Sequence, residues 1–449
     1  MSEKPDFLWG VATSAYQIEG GRTAPKGESI WDRFANTPGR ILGGDTGDVA
    51  CDHFRRWKED VALMADLGVT AYRFSIAWTR IHPDGTGPAQ PEGLEFYDHL
   101  IDALIANDIE PLPTLYHWDL PQKLEDDGGW RSRATIDAFA EYATTVVTAY
   151  GDRVKSWITH NEPWVAAFIG HLDGVHAPGL SDWEAALSSG HHILVSHGRA
   201  TRAMRETVPD IRVGIALDCR PSYPATDSDE DRSAQRHFDG FRNRWFFDPV
   251  FGRSYPQDMI DAFRDRGRFD GVLPPWVQEG DLAEIAAPID FLGINYYTSI
   301  AIAAGADEAE YTGVAPGPNP PDGFTEMGWE VTPAALTEFL VRIGDEYAPT
   351  SILITENGAS YSDRPDPSGS VQDDRRIAYI DKHIDAVAEA RARGVPVDGY
   401  FVWSLLDNFE WSLGYTQRFG LVWVDHNDGN RLPKESFGWY RSRINAGIP

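Results

Sequence analysis

Apolar positions recur along the chain with two alternating periods. Stretches with hydrophobic residues three and four apart predict helices, and short β-branched or aromatic runs between them predict strands. Trp57, Val61, Met64 and Leu67 share one helical face, Gly68 follows as a stop, and 69–76 reads as a strand. Leu94, Tyr97, Leu100 and Leu104 repeat the pattern ahead of the run 109–116. Ile136, Phe139, Ala143, Val146 and Tyr150 repeat it again, followed by Gly151 and a strand at 154–160. Further on, Ile377, Ile380, Ile384 and Val387 precede Gly394 and the run 397–404.

Candidate strands therefore lie at 7–13, 69–76, 109–116, 154–160, 211–217, 289–295, 351–355 and 397–404. Helical pattern separates most of them. This alternation predicts an α/β protein with a parallel sheet, and the number of units predicts closure into a (β/α)8 TIM barrel. The connections at 218–288 and 296–350 are long, and the second contains a polar, Pro- and Gly-rich piece at 311–323. They read as enlarged βα loops, with helices inside the first, so 1–449 is expected to form a single catalytic domain.

Charge narrows the partners. The chain carries 40 basic against 69 acidic residues, a net charge of −29, and such a field repels a phosphate backbone. Nucleic acid is therefore excluded as an expected partner. No apolar run approaches the ~18 residues of a membrane span. Residues 1–10 lack the basic segment and apolar core of a secretory signal. Cys51 and Cys219 stand far apart without a companion CxxC, as expected of reduced thiols in a cytoplasmic protein.

Candidate chemistry gathers where the strands end, the face on which barrel enzymes build their sites. Strand 3 runs into Tyr116-His117-Trp118-Asp119 and strand 4 into Thr159-His160-Asn161-Glu162-Pro163. Strand 6 leads to Asn295-Tyr296-Tyr297, and strand 7 to Thr355-Glu356-Asn357-Gly358. Strand 8 leads to Trp403-Ser404-Leu405-Leu406-Asp407-Asn408-Phe409-Glu410-Trp411, and Gln17-Ile18-Glu19-Gly20 lies near strand 1. A lone Glu is most often a solvated surface group. Glu162 and Glu356 differ in that both end barrel strands and would face each other across the mouth. Paired carboxylates there suit glycoside hydrolysis, in which one protonates the leaving oxygen and the other attacks or activates water.

Two other classes bear on the same residues. A metal-dependent hydrolase would draw on His117 and His160, but no H-x-H or H-E-x-x-H spacing supports it. A non-catalytic sugar-binding barrel would keep the aromatics and amides yet have no need of both glutamates. The pair His191-His192 and the turn Gly43-Gly44-Asp45-Thr46-Gly47 read as structural, and Glu19 and Asp119 as supports behind the site.

These motifs, in this order, resemble glycoside hydrolase family 1 β-glucosidases over essentially the whole chain. The match also includes Phe7-Leu8-Trp9-Gly10-Val11-Ala12-Thr13, Tyr72-Arg73-Phe74-Ser75 and Leu115-Tyr116-His117-Trp118-Asp119-Leu120-Pro121. The resemblance implies a retaining mechanism with Glu162 as acid/base and Glu356 as nucleophile. It implies that Gln17, His117, Asn161, Glu410 and Trp411 hold the nonreducing sugar over a Trp403 floor, with Asn161 on the 2-hydroxyl. Arg73, Asn295 and Tyr297 would surround the nucleophile, and Trp118, Trp329 and Phe419 would line the entrance. No metal or organic cofactor is implied, because two carboxylates suffice.

Arg73 and the Tyr297 hydroxyl should then keep Glu356 ionised, and the Glu356 charge should hold the proton on Glu162 until the sugar ester forms. A Gln in place of Glu162 would mark a thioglucosidase, so an O-glycosidase acting on a small β-glycoside is expected. Glu410 would repel a 6-phosphate, and Ser412-Leu413-Gly414-Tyr415 brings no Lys, so phosphorylated sugars are disfavoured. Broad galactoside or fucoside activity and sugar transfer to other acceptors stay open at this stage, and no motif speaks to oligomeric state.

Overall fold

A computed structural model describes residues 7–21, 25–305, 313–314 and 322–448. Most of the piece at 311–323 lies outside these residues. Strands β1 (Leu8–Ala12), β2 (Ala71–Ser75), β3 (Glu110–Tyr116) and β4 (Ser156–Asn161) follow the expected positions. So do β5 (Arg212–Cys219), β6 (Phe291–Tyr296), β7 (Ile352–Asn357) and β8 (Val397–Trp403). All eight pair in parallel with their sequence neighbours, and β1 pairs with β8 to close the barrel.

Between the strands lie α1 (His53–Leu67), α2 (Pro91–Ala106), α3 (Ala134–Tyr150) and α4 (Trp183–Thr207). Val61, Met64 and Leu67 are buried on the inner face of α1, and Gly68 ends it with φ at 79°, a left-handed conformation that glycine adopts without steric cost. The β5–β6 connection carries α5 (Asp229–Asp239) and three shorter helices; α6 (Pro333–Tyr347), α7 (Asp374–Ala392) and α8 (Glu435–Ala446) complete the shell. The two enlarged connections are tied together, because Ser222–Pro224 pairs in parallel with Ile300–Ala303.

Inside the barrel, Ala12, Ala71 and Ala216 alternate with the bulkier Leu112, Ile158, Phe291, Leu353 and Phe401. Small and large side chains fill the interior, so it is a packed core with Trp403 on top of it rather than a pore. Register then sets the level of the functional residues. Ala12 is opposite both Arg73 and Trp403, while Asn295 is opposite both Asp218 and Glu356. The ends of β2, β5, β6, β7 and β8 thus present polar side chains and one indole at one mouth.

Candidate active site

A cavity of about 310 Å3 opens at that mouth. Its wall includes Glu162, Glu356, Glu410 and Asp218, with His117, Trp118, Tyr297, Trp329, Trp403, Trp411 and Phe419. The volume falls in the range of small-molecule sites, and apolar rings with a few convergent polar groups are the usual lining of such sites.

Glu356 ends β7 inside a dense hydrogen-bond frame. Arg73 Nη1 donates to Glu356 Oε1 at 2.6 Å, and the Tyr297 hydroxyl donates to Oε2 at 2.6 Å. Arg73 Nη1 also donates to the Thr355 carbonyl at 3.0 Å, and Nη2 donates to Asn161 Oδ1 at 2.6 Å. The guanidinium has no acceptor of its own, so it fixes which end of each amide faces it. Asn161 must present its oxygen to Arg73, which leaves Asn161 Nδ2 to donate to His117 Nε2 at 3.0 Å. His117 is thereby neutral, with its proton on Nδ1. Burial and then the Arg73 charge push its basicity well below the ordinary histidine value, in agreement with a neutral ring.

Glu162 has a sparser setting. It follows β4 with φ at 48°, a left-handed conformation uncommon outside glycine, and its backbone N–H donates to Ala216 O at 2.9 Å. Asn295 Nδ2 donates to Glu162 Oε1 at 2.7 Å and to Asn161 Oδ1 at 2.9 Å. Thr355 Oγ1 donates to Asn295 Oδ1 at 2.7 Å, which fixes that amide as well. Because Asn295 donates at Oε1, the better acceptor is needed there, and a proton on Glu162 is favoured on Oε2.

Burial raises the proton affinity of both carboxyl groups. For Glu356 it is opposed by the Arg73 charge and the Tyr297 hydrogen bond, but burial outweighs them and the value stays above the ordinary carboxylate range. The expected stabilisation of the anion is present, set against a desolvation cost that the motifs alone did not reveal. For Glu162 burial comes first, Asp218 second and Glu356 third, and the value is raised well above the ordinary range. Only Glu356 has a guanidinium on it, so Glu356 ionises first.

The sugar-holding residues expected from the resemblance divide into two groups. His117, Trp403, Glu410 and Trp411 reach the cavity wall, as do the entrance residues Trp118, Trp329 and Phe419. Gln17, Asn161, Asn295 and Arg73 stand behind the wall and are almost fully buried. Gln17 Nε2 donates to Asn408 Oδ1 at 3.1 Å and to Phe409 O at 2.9 Å, so it braces the segment that presents Glu410 and Trp411. Burial and the Glu356 charge push Glu410 up to about 8, and its Oε2 has no hydrogen-bond partner in the protein. Trp118 Nε1 donates to Asn161 O at 2.9 Å, which locks the β3 and β4 ends together.

Asp218 and Arg242 also line this cavity, and neither stood out among the motifs. A signal for Asp218 was present, since it lies at the end of β5, the strand end left without a functional residue. His191 and His192 are structural: His191 bridges Tyr255 and Asp281 at 2.9 and 2.8 Å, and His192 bonds to Trp130 O. Glu19 pairs with Arg80 at 2.6 Å behind the site. Among the described residues, no group of three or more His, Cys, Asp or Glu side chains is placed to hold a metal ion.

Relatives carry the same architecture. The chain is similar to beta-glucosidase A of Thermotoga maritima, 45% identical over 445 residues that cover 98% of each protein. Its fold superposes on the AHE enzyme of Alicyclobacillus herbarius with a TM-score of 0.94 at 48% identity, covering 99% of this chain and 98% of that one. It also superposes on the Thermotoga maritima beta-glucosidase in complex with deoxynojirimycin, with a TM-score of 0.92 at 44% identity and 99% and 98% coverage. Glycosyl hydrolase family 1 matches residues 3–447, and this chain belongs to that family.

Proposed function

We propose that this family 1 enzyme is a β-glucosidase that releases the terminal nonreducing β-D-glucosyl residue of small glucosides by double displacement, with Glu356 as nucleophile and Glu162 as acid/base. The observation that carries the assignment is the unequal framing of the two carboxyl groups. Glu356 accepts from a guanidinium and a phenol, one on each oxygen. Glu162 accepts from one neutral amide on Oε1. The first frame favours an anion and the second tolerates a proton.

In the first step Glu356 attacks the anomeric carbon as the leaving oxygen takes the proton from Glu162 Oε2. Ester formation removes the Glu356 charge, and Glu162 then accepts a proton from the water that attacks the ester. Trp403 offers an aromatic plane to the apolar face of the sugar, while Glu410 Oε2 and His117 Nδ1 are free to meet its hydroxyls. Residues 1–449 would act as one catalytic barrel, a reading supported by the family match over 3–447. The buried free thiols Cys51 and Cys219 suit a reducing, cytoplasmic setting. No helix among the described residues is long and apolar enough to cross a membrane.

Azide rescue tests the roles. Glu162→Ala with azide should yield β-glucosyl azide, and Glu356→Ala with azide should yield the α-anomer. Near-normal turnover by Glu356→Ala without azide would overturn the assignment.

A further inference from the structure

Asp218 is held beside Glu162 by the barrel itself. Ala216, two residues earlier on β5, packs in the barrel interior, so strand alternation turns Asp218 inward as well, one layer nearer the mouth. Its partner across the β5–β6 ladder is Asn295, whose amide donates to Glu162 Oε1. Glu162 is itself tethered to β5 through its N–H to Ala216 O. Asp218 thus stands between the neighbours on either side of it, rather than on a free loop.

Arg242 completes the arrangement from the turn Gly240–Arg244 that continues α5. Its Nη2 pairs with Asp218 Oδ2, and both side chains are about nine-tenths buried. The guanidinium carbon lies 3.4 Å over the ring of Trp164, two residues beyond Glu162. Stacked there, the cation is committed to Asp218 and to the acid/base segment together.

We propose that Asp218, paired with Arg242 and held in place by it, is the positioning residue that holds the proton on Glu162, and keeps Glu162 basic enough to deprotonate water after Glu356 has been esterified. The inference rests on reading Glu162 as the acid/base. Repulsion between the two catalytic glutamates vanishes at the covalent stage. A fixed carboxylate outside the reaction does not vanish, so Glu162 remains a stronger base than an ordinary carboxylate in the second step. Repulsion from Asp218 also outranks that from Glu356 in the free site. The titratable groups facing Glu162 are Asp218 and Cys219 from β5, Arg242 from the turn behind it, Glu356 from β7 and Tyr297 after β6. Of these, Asp218 is the one anion that neither reacts nor accepts a hydrogen bond from Arg73 or Tyr297. Burial raises the proton affinity of Asp218 itself, and the charges of Arg242 and then Arg220 oppose that rise.

The test is the pH profile of kcat/KM for Asp218→Asn on two substrates. An alkyl glucoside needs its leaving oxygen protonated, whereas a 2,4-dinitrophenyl glucoside does not. Removing the Asp218 charge should lower the proton affinity of Glu162 and move the basic limb for the alkyl glucoside down by about one pH unit. Above that limb, the ratio of alkyl to dinitrophenyl rates should fall about tenfold. Asp218→Ser carries the same expectation should the Asn variant fail to fold. A basic limb that stays in place or moves up, or an equal loss on both substrates, would overturn the proposal. Glu162→Gln measured alongside separates the two readings. If that variant keeps the wild-type basic limb, the acid/base assignment itself fails; if it loses the limb while Asp218→Asn leaves it unmoved, only the role of Asp218 fails.

Discussion

Arg73 Nη1 meets Glu356 Oε1 at 2.6 Å in a barrel interior where the two side chains are 1% and 4% exposed. A carboxylate so deeply buried is costly unless a charge and hydrogen bonds satisfy it. The same guanidinium orients Asn161, and through it His117, so one side chain bears on both the charge of Glu356 and the tautomer of His117.

Arg73→Met should therefore lower kcat/KM about a thousandfold, since removing one partner of a buried pair costs about 3–5 kcal/mol. Glu356 would hold its proton to higher pH, so the acid limb of the profile should move upward. The pH dependence of kcat/KM for an aryl glucoside checks both statements. An acid limb that stays in place would mean that Arg73 does not control the charge on Glu356.

Tyr297→Phe removes the second donor, the hydroxyl at 2.6 Å from Glu356 Oε2, while keeping the ring against Trp329 and Phe419. A hydrogen bond to a charged group contributes about 1.5–3 kcal/mol, so kcat/KM should drop about tenfold to a hundredfold. The acid limb should again move upward, by less than in the Arg73 variant. Steady-state profiles of the two variants side by side give the order.

If Glu410 holds the sugar as proposed, it should link sugar binding to protons. Burial, then the Glu356 charge, hold its carboxyl up at about 8, and its unpartnered oxygen gains donors when sugar hydroxyls arrive. Those donors favour the anion, so the bound value falls below the free one and binding releases a proton. Affinity for glucose should thus rise from pH 6 to pH 8 and level off above. Calorimetry in buffers of different ionisation enthalpy should show the release, and Glu410→Gln should abolish it.

Lys434 is fully buried and donates to Asp363 Oδ2 at 2.7 Å and to Asp407 Oδ1 at 2.9 Å, joining the segments that follow β7 and β8. Lys434→Met leaves both carboxylates without that cation and should cost about 3–5 kcal/mol of stability at pH 7, read as a lower urea midpoint. Burial acts to raise Asp407, but Lys434, Arg418 and Arg376 hold it below the ordinary carboxylate range. Its contribution is therefore present above the unfolded value of about 3.9 and is lost as pH falls through the lower folded value. The gap between wild type and variant should narrow below about pH 4.

Much of this fold was legible in the chain, because the signals were local. Met64 and Leu67 repeat on one helical face and Gly68 stops the helix, so α1 and the start of β2 follow from neighbouring residues alone. Glu162 and Glu356 could be paired because both end strands whose places in the barrel are set by order. Arg242 could not be found this way, since its position depends on how α5 and the long β5–β6 connection fold back over the mouth. Gln17 was legible as part of the site but not as a brace for Phe409, which depends on the β8 connection returning to β1. Charge balance was legible only in sign: the guanidinium on Glu356 could be expected, but the depth of burial that outweighs it could not.

The most direct test of the central claim is to trap the covalent intermediate with an activated 2-deoxy-2-fluoro-β-glucoside and map the labelled peptide by mass spectrometry. The fluorine destabilises the oxocarbenium-like transition state, so the ester accumulates. The prediction is one fluoroglucosyl group per chain, on the peptide that contains Glu356. A label on Glu162 or on any peptide lacking Glu356 would contradict it.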